Sequence, residues 1–437
     1  MTDLSLGKIP KGRLSRSISS GRIAAEMGTN QLGYMIKKPF LSKDRQRLSR
    51  QIKDEKNAQI LFNGLSMLRG TALKAAQMLS FETELISETL RKELQKSYHQ
   101  VPPMNRVLVR KIMTNNFSAS PENIFNTFDT KAFAAASLGQ VHQATSHKKE
   151  RLAVKLQYPD IAKTISNDIR LLRTALRPMG QYDIFKIALD EIETVLLNET
   201  NYEKEGQNIA FFRMHMKTDG ILIPEYYSSL STKHVLSMSF MEGKTLDEWL
   251  ALNPDQESRN RIGQILHDIF IKGFYTLNRL HADPNPGNFL ITDDLKICLL
   301  DFGCVRKFDQ NFIHLYQRLI RNGAKKDTQS YIAILEQMQF LTPGLDPEIK
   351  NQMVDLFMKF GNFFSALFKE ESFDFSAHPG FMEEGRKIAQ QMHGFRKHIH
   401  NILPEFLFLD RTRYGLIRLF EKMNATICFR NKYEYCE

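Results

Sequence analysis

Residues 281–303 read HADPNPGNFLITDDLKICLLDFG. Asp283 and Asn288 stand five positions apart on a stretch dense in proline, glycine and asparagine, a composition that predicts a loop. A short apolar run, residues 297–300, predicts a strand and leads into Asp301-Phe302-Gly303. This order suits a nucleotide-phosphate site, with one carboxylate near an acceptor and then an amide and a carboxylate to hold Mg²⁺ on the phosphates. Asp-Phe-Gly alone is too short a match to carry that inference. Loop, strand and tripeptide in this order and at this spacing carry it together.

Upstream, residues 133–145 read FAAASLGQVHQAT, followed by a polar turn at 146–151 and then LAVKLQYP, a pattern that predicts a β-hairpin. In the second strand Leu152, Val154 and Leu156 share one face, and Ala153, Lys155 and Gln157 the other. A strand lysine facing a cleft suits the α/β-phosphates of ATP, and it needs a carboxylate to fix it. Periodicity predicts helices over 159–178 and 184–217, and the second offers Glu199 and Glu205. Six residues of one continuous helix turn it by about 600°, so these two carboxylates would diverge by about 120° and could not serve Lys155 alike. Ala134, Ala135, Ala136 and Ser137 would form the loop over the phosphates. Glycines there let backbone amides approach phosphate oxygens, whereas alanine adds methyl bulk and restricts positive φ. Taken without its neighbours, a run of three alanines reads as helix or core packing.

The remaining pattern is of an ordinary globular chain of 437 residues, 42% hydrophobic and 25% charged, long enough for two or three structural units. No run approaches the ~18 apolar residues of a membrane span. Cys298, Cys304, Cys428 and Cys436 lack metal-ligand spacing and suit a reducing compartment. Net charge is +11, and residues 1–53 hold +9 of it, twelve Lys or Arg against Asp3, Glu26 and Asp44. Such an arm is drawn to polyanions. Leu14, Ile18, Ile23, Met27, Leu32 and Met35 could give it a membrane-facing side, or it could be a solvated helical surface. It is also Ser- and Arg-rich and poor in acids, as a mitochondrial presequence is, and it lacks the apolar core of a signal peptide. Residues 44–100 predict helices, 234–240 a strand, and 309–437 a helical lobe. The phenylalanines at 357, 360, 363, 364 and 368 read as core, with a lipid pocket as the alternative.

With these residues in view, the chain resembles the UbiB/AarF/ADCK family of atypical kinases from about residue 10 to its C-terminus. The family's KxGQ motif falls at Lys74-Ala75-Ala76-Gln77, its alanine-rich loop at Ala134–Ser137 and its strand lysine at Lys155. Its ExD motif falls at Glu199-Thr200-Asn201, and its lysine-pairing glutamate at Glu205. The hinge falls at 238–242, with Met238 as gatekeeper and Ser239 and Met241 beside the nucleotide. The catalytic aspartate falls at Asp283 and the metal ligands at Asn288 and Asp301, while residues 404–412, PEFLFLDRT, are also similar to the family. Ala76 stands where the motif has glycine, and Asn201 where ExD has aspartate, which removes one charge near the phosphates.

The resemblance implies an α+β, bilobal protein-kinase-like fold, with a small β-containing N-lobe, a helical C-lobe and an N-terminal helical extension packed over the active site. The corresponding boundaries are a basic arm over 1–53, a KxGQ-type extension over 54–128, an N-lobe over 129–243 and a C-lobe over 244–437. In that scheme Lys74 and Gln77 are regulatory, Lys74 engages Glu199, and Glu205 is left for Lys155. ATP or ADP with Mg²⁺ is the expected cofactor set.

Two features argue against peptide phosphorylation. Asn285 stands where protein kinases carry a lysine that contacts the transferring phosphate. After Gly303 the chain enters a helical pattern within a few residues, with no Ala-Pro-Glu anchor for an activation segment. Three activities remain: an atypical kinase or ATPase supporting ubiquinone or related isoprenoid-lipid metabolism, a small-molecule phosphotransferase, and a nucleotide-binding scaffold with little turnover. The motif set and basic arm favour the first. The expected partners are an anionic membrane surface and quinone-biosynthesis proteins, with no specific nucleic acid. The expected location is cytoplasmic and peripheral to a membrane, or else the matrix side of the mitochondrial inner membrane. The sequence leaves oligomeric state open.

Overall fold

The hairpin predicted around Lys155 forms in a computed structural model that describes residues 104–136, 138–177, 182–325, 328–391 and 403–435, with isolated residues elsewhere. The basic arm and the KxGQ helix, with Lys74 and Gln77, lie outside the described residues, as does Ser137. The chain divides into two compact units. One comprises residues up to 203 together with 228–237, and the other 204–227 together with 238–437.

The first unit opens with α1 (Arg106–Phe117) and the short α2 (Pro121–Ile124), followed by β1 (Thr127–Phe128), β2 (Ala134–Ala136), β3 (Gly139–Thr145) and β4 (Arg151–Gln157). Asn105 caps α1 by accepting from Leu108 N, and Ser118 closes it in the left-handed region. The sheet runs β1-β3-β4-β6, with β2 on β3, where β6 is Val235–Ser239. In β4 every residue from Leu152 to Gln157 is buried, so the expected two faces exist but both are covered. Gly139 is required at the hairpin, because a Cβ there would lie 2.0 Å from the Leu156 carbonyl oxygen. The three alanines are a strand and not a loop, in register Ala134↔Val141, Ala135↔Gln140 and Ala136↔Gly139.

Two helices complete this unit, α3 (Ile161–Leu176) and α4 (Tyr182–Asn198). Arg173 ties them together through Asp190 at 2.6 Å and Glu193 at 2.7 Å. The helix predicted over 184–217 is broken, since α4 ends at Asn198 and α5 (Tyr202–His215) begins after three intervening residues. Glu199, Thr200 and Asn201 form the turn, and the argument from one continuous helix to a 120° divergence fails with it. The physical cause is remote. Gln157 Nε2 donates to Thr200 O at 2.9 Å, and Tyr202 N donates to Lys233 O at 3.1 Å. These bonds pull the backbone out of helix at residues of modest propensity.

The second unit is mainly helical, carrying the later part of α5 followed by α6 (Leu246–Leu250), α7 (Gln256–Ile271), α8 (Gln310–Lys325), α9 (Thr328–Gln337), α10 (Pro347–Ser365), α11 (Phe381–Gln391) and α12 (Pro404–Met423). Helices start where the sequence supplies caps: a Thr245/Glu248 capping box, Asp255, and Asp346 before Pro347. The strands β5 (Ile221–Leu222), β7 (Lys244–Thr245), β9 (Phe289–Ile291) and β10 (Ile297–Leu299) form a four-stranded sheet in the order β5-β10-β9-β7. Two ribbons accompany it, β8 (Arg279–His281) with β11 (Val305–Lys307) and β12 (Phe373–Asp374) with β13 (Thr426–Ile427). Phe357, Phe363, Phe364 and Phe368 are buried, and Phe363 stacks on Phe381 with ring centroids 4.3 Å apart. These phenylalanines are core. The plan is the α+β, two-unit one expected from the sequence.

Candidate active site

In the second unit the catalytic-loop stretch and the Asp-Phe-Gly stretch are zipped together where they enter and leave. β8 and β11 pair antiparallel in the register His281↔Val305, and Ala282 N donates to Cys304 O at 2.8 Å. His281 is buried, with Nε2 against the Asp301 carbonyl oxygen. Between these anchors the loop is shaped by its own asparagines. Asn285 Oδ1 accepts from Gly287 N at 3.0 Å, and Asn288 N donates to Asn285 O at 2.9 Å. Asn285 is therefore a turn former here. That turn carries Asn288 back to Asp283, and its Nδ2 donates to Asp283 Oδ2 at 2.9 Å. Leu300 N donates to Asn288 O at 3.1 Å, which sets Asp301 next to Asn288. Three residues read from the sequence are thus brought together.

Phe302 fixes the far side of Asp301. It is fully buried, 5.4 Å from the Phe212 ring and 5.5 Å edge-on from His281. Its backbone is held from α5. Glu205 Oε1 accepts from Phe302 N at 3.4 Å, and Asn208 Nδ2 donates to Phe302 O at 3.0 Å. Glu205, Asn208 and Phe212 are spaced three and four apart, so one face of α5 grips the tripeptide. Asp301 Oδ1 in turn accepts from Gly303 N at 2.9 Å, which anchors one oxygen of its carboxylate.

The first unit carries the residues expected at the α/β-phosphates. Lys155 lies in β4 opposite Val141 and is 5% exposed, with Nζ 5.6 Å from the Tyr202 ring centroid. A buried ammonium over an aromatic face is favourable and keeps the side chain extended. Glu199 is buried and Asn201 half-buried in the turn between α4 and α5. Lys155 and Glu205 belong to different units. Ser239 and Met241 are close, at 3.7 Å from Oγ to Sδ, and Ser239 also caps Glu225 through two bonds of 2.9 Å. Met238, buried, bridges to Tyr226.

Two further residues were not singled out in the sequence. Asn208 has no motif to mark it beyond its place one turn after Glu205. Arg411, on α12, lies with Nη2 3.8 Å from Asp283 Oδ1, and both side chains are largely buried. Its signal was the PEFLFLDRT stretch, which carried no assigned role.

The residues present fit Mg²⁺. Asn288 and Asp301, whose segments are joined by the Leu300–Asn288 backbone bond, carry hard oxygen donors, and Mg²⁺ on a nucleotide needs only one or two protein ligands in addition to phosphates. Among the described residues no cluster of three or more His, Cys, Asp or Glu could hold a metal by itself. Cys298, on β10, is buried, and burial pushes its thiol up to about 11. Among the described residues no helix is long and apolar enough to cross a membrane.

Comparison with known proteins agrees with the fold. A family model described as ABC1 atypical kinase-like domain matches residues 96–335. Atypical kinase COQ8B, mitochondrial, of Danio rerio is 27% identical over 98% of this chain and 68% of its own length. Atypical kinase COQ8, mitochondrial, of Saccharomyces cerevisiae is 29% identical over 85% of this chain and 75% of its own. Among solved structures, the complex of Rv3197 with erythromycin from Mycobacterium tuberculosis superposes with a TM-score of 0.58 at 22% identity, covering 89% of this chain and 96% of that one. At that identity the likeness speaks for the fold alone.

Proposed function

The chain belongs to the UbiB/AarF/ADCK family of ABC1 atypical kinases, and from that premise we propose that it is a Mg-nucleotide-dependent kinase or ATPase supporting ubiquinone or related isoprenoid-lipid metabolism at a membrane surface. The observation that carries the proposal is the joined set Asp283, Asn288 and Asp301, held in one piece by the Asn288–Asp283 and Leu300–Asn288 bonds. In this reading Asp283 orients the attacking hydroxyl or water and accepts its proton. Asn288 and Asp301 hold Mg²⁺, which neutralises charge on the phosphates. Lys155, set by Glu205, takes the α/β-phosphates, Ala134–Ser137 cover them, and Met238, Ser239 and Met241 line the base. Lys74, Gln77, Glu199 and Asn201 form the regulatory set. The basic stretch 1–53 recruits the protein to anionic lipid. The relatives' names support a mitochondrial site of action, with a cytoplasmic membrane face as the alternative.

A second reading, a nucleotide-binding scaffold, is favoured by Asn201, which lacks the charge of the family's aspartate. Mg²⁺-dependent ATP hydrolysis with and without anionic liposomes, beside Asp301→Asn, separates the two. Turnover that rises with lipid and falls at least about 100-fold in the variant is expected. Nucleotide binding without turnover in either condition favours the scaffold. Liposomes that fail to recruit the protein at low salt remove the membrane part.

A further inference from the structure

The long C-terminal helix α12 presents one stripe to the catalytic loop and the strand after Asp-Phe-Gly. Phe408, Arg411 and Gly415 recur at spacings of three and four and so share a face. The Arg306 guanidinium, on β11, lies 3.9 Å above the Phe408 ring. Arg411 Nη2 stands 3.8 Å from Asp283 Oδ1. Gly415 meets the next loop residue so closely that a Cβ there would lie 2.2 Å from Pro284 Cγ. The helix therefore seats on two consecutive loop residues and on the strand where a protein kinase would begin its activation segment.

We propose that Arg411 is a positioning residue for the site, orienting the Asp283 carboxylate from the side opposite Asn288. The inference rests on the assignment of Asp283 made above. Asn288 fixes Oδ2 at 2.9 Å, but one hydrogen bond leaves a carboxylate free to swing about it. A cation near Oδ1 supplies the second point that defines its plane. Both side chains are shielded from solvent, Arg411 at 13% and Asp283 at 20% exposure, so the attraction is only partly screened. At 3.8 Å the contact is between charges and is not a bidentate fork, so lysine, which keeps the charge and loses the fork, should largely replace arginine. Arg411 is not among the residues assigned to the nucleotide, so the residue is expected to act on turnover more than on nucleotide affinity.

The test uses the full chain with Arg411→Gln, Arg411→Lys, Asp283→Asn and Arg411→Gln/Asp283→Asn. Arg411→Gln is expected to lower kcat for Mg-ATP hydrolysis roughly 10- to 100-fold while KM for Mg-ATP stays within about threefold, and Arg411→Lys to recover most of the loss. Thermal melting of the parent and the same four variants supplies a readout that needs no turnover. Arg411→Gln is expected to lower Tm in the parent and to lower it much less when Asp283 is already asparagine. Unchanged kcat in Arg411→Gln, or an equal fall in Tm in both backgrounds, overturns the inference. A parent protein that binds but does not hydrolyse ATP overturns the enzymatic reading alone, and the melting comparison still decides whether the two residues are coupled.

Discussion

His142, on β3, is fully buried and doubly bonded, Nδ1 to Asp129 O at 2.8 Å and Nε2 to Gln140 Nε2 at 3.0 Å. Gln140 Oε1 already accepts from Met104 N at 2.8 Å, so its amide nitrogen faces the ring as a donor. The histidine must then accept at Nε2 and donate from Nδ1, which makes it the neutral tautomer. Burial holds its pKa below the ordinary 6.5, against an opposing pull from Asp129. The unfolded chain therefore takes up a proton near pH 6.5 that the folded chain refuses until lower pH. The stability this group contributes is present above pH 6.5 and is lost as pH falls below it, at a slope of up to about 1.4 kcal/mol per pH unit. Melting curves between pH 7.5 and 5 should fall more steeply for the parent than for His142→Gln. Equal slopes would show that the ring is not held neutral. At this scale the sequence was informative where residues lie close along the chain: Asp283, Asn288 and Asp301 sit within twenty residues, Asn288 bonds to Asp283, and its carbonyl holds Leu300, the residue before Asp301. Asn208 could not be read, because its partner Phe302 is 94 positions away and no short motif joins them. Arg411 reaches Asp283 across a still longer gap.

Among the elements, the β3–β4 hairpin was legible because alternation and a polar turn pointed one way. The α4–α5 break was not. Apolar periodicity runs on through 184–217, and what interrupts it is a pair of bonds from Gln157 and Lys233, which are remote in sequence. Likewise the three alanines are extended because β3 pairs with them, against a helical propensity that alone would coil them. The helix α5 matters for what its second half holds. Asn208→Ala removes the side-chain bond to Phe302 O and should cost about 1 kcal/mol in global stability. Amide exchange at 302–304 should accelerate beyond that global change, since α5 then holds the tripeptide backbone by Glu205 alone among these two bonds. If exchange there merely tracks global unfolding, α5 does not act as a local clamp.

Across the molecule the chain passes between its two units three times, at 203/204, 227/228 and 237/238, so neither unit is one continuous run. The second unit is tied off by a buried ionic cluster. Arg413 of α12 meets Glu434 side chain to side chain, Tyr275 Oη donates to the same carboxylate at 2.8 Å, and Arg413 also lies over the Phe270 and Tyr316 rings. Burial raises the pKa of Tyr275, and the Glu434 charge raises it further, so the phenol remains a donor at every ordinary pH. Glu434→Gln leaves a buried guanidinium without its counter-charge and should cost about 3–5 kcal/mol, read as a lower melting temperature. Arg413→Met with Glu434→Leu should recover much of that loss, because a buried pair replaced by apolar groups of similar volume is often neutral. A full loss in the double variant would mean that the cluster contributes more than the pairing of one charge. During synthesis, Arg413 is added to the chain 21 residues before its counter-charge is made. A stop codon or a shifted frame between residues 424 and 434 would spare the α12 helix and every residue proposed for the site. It would still release a product with an unanswered cation at the centre of its second unit. Lesions in those codons should therefore reduce cellular abundance as severely as a cavity in the core.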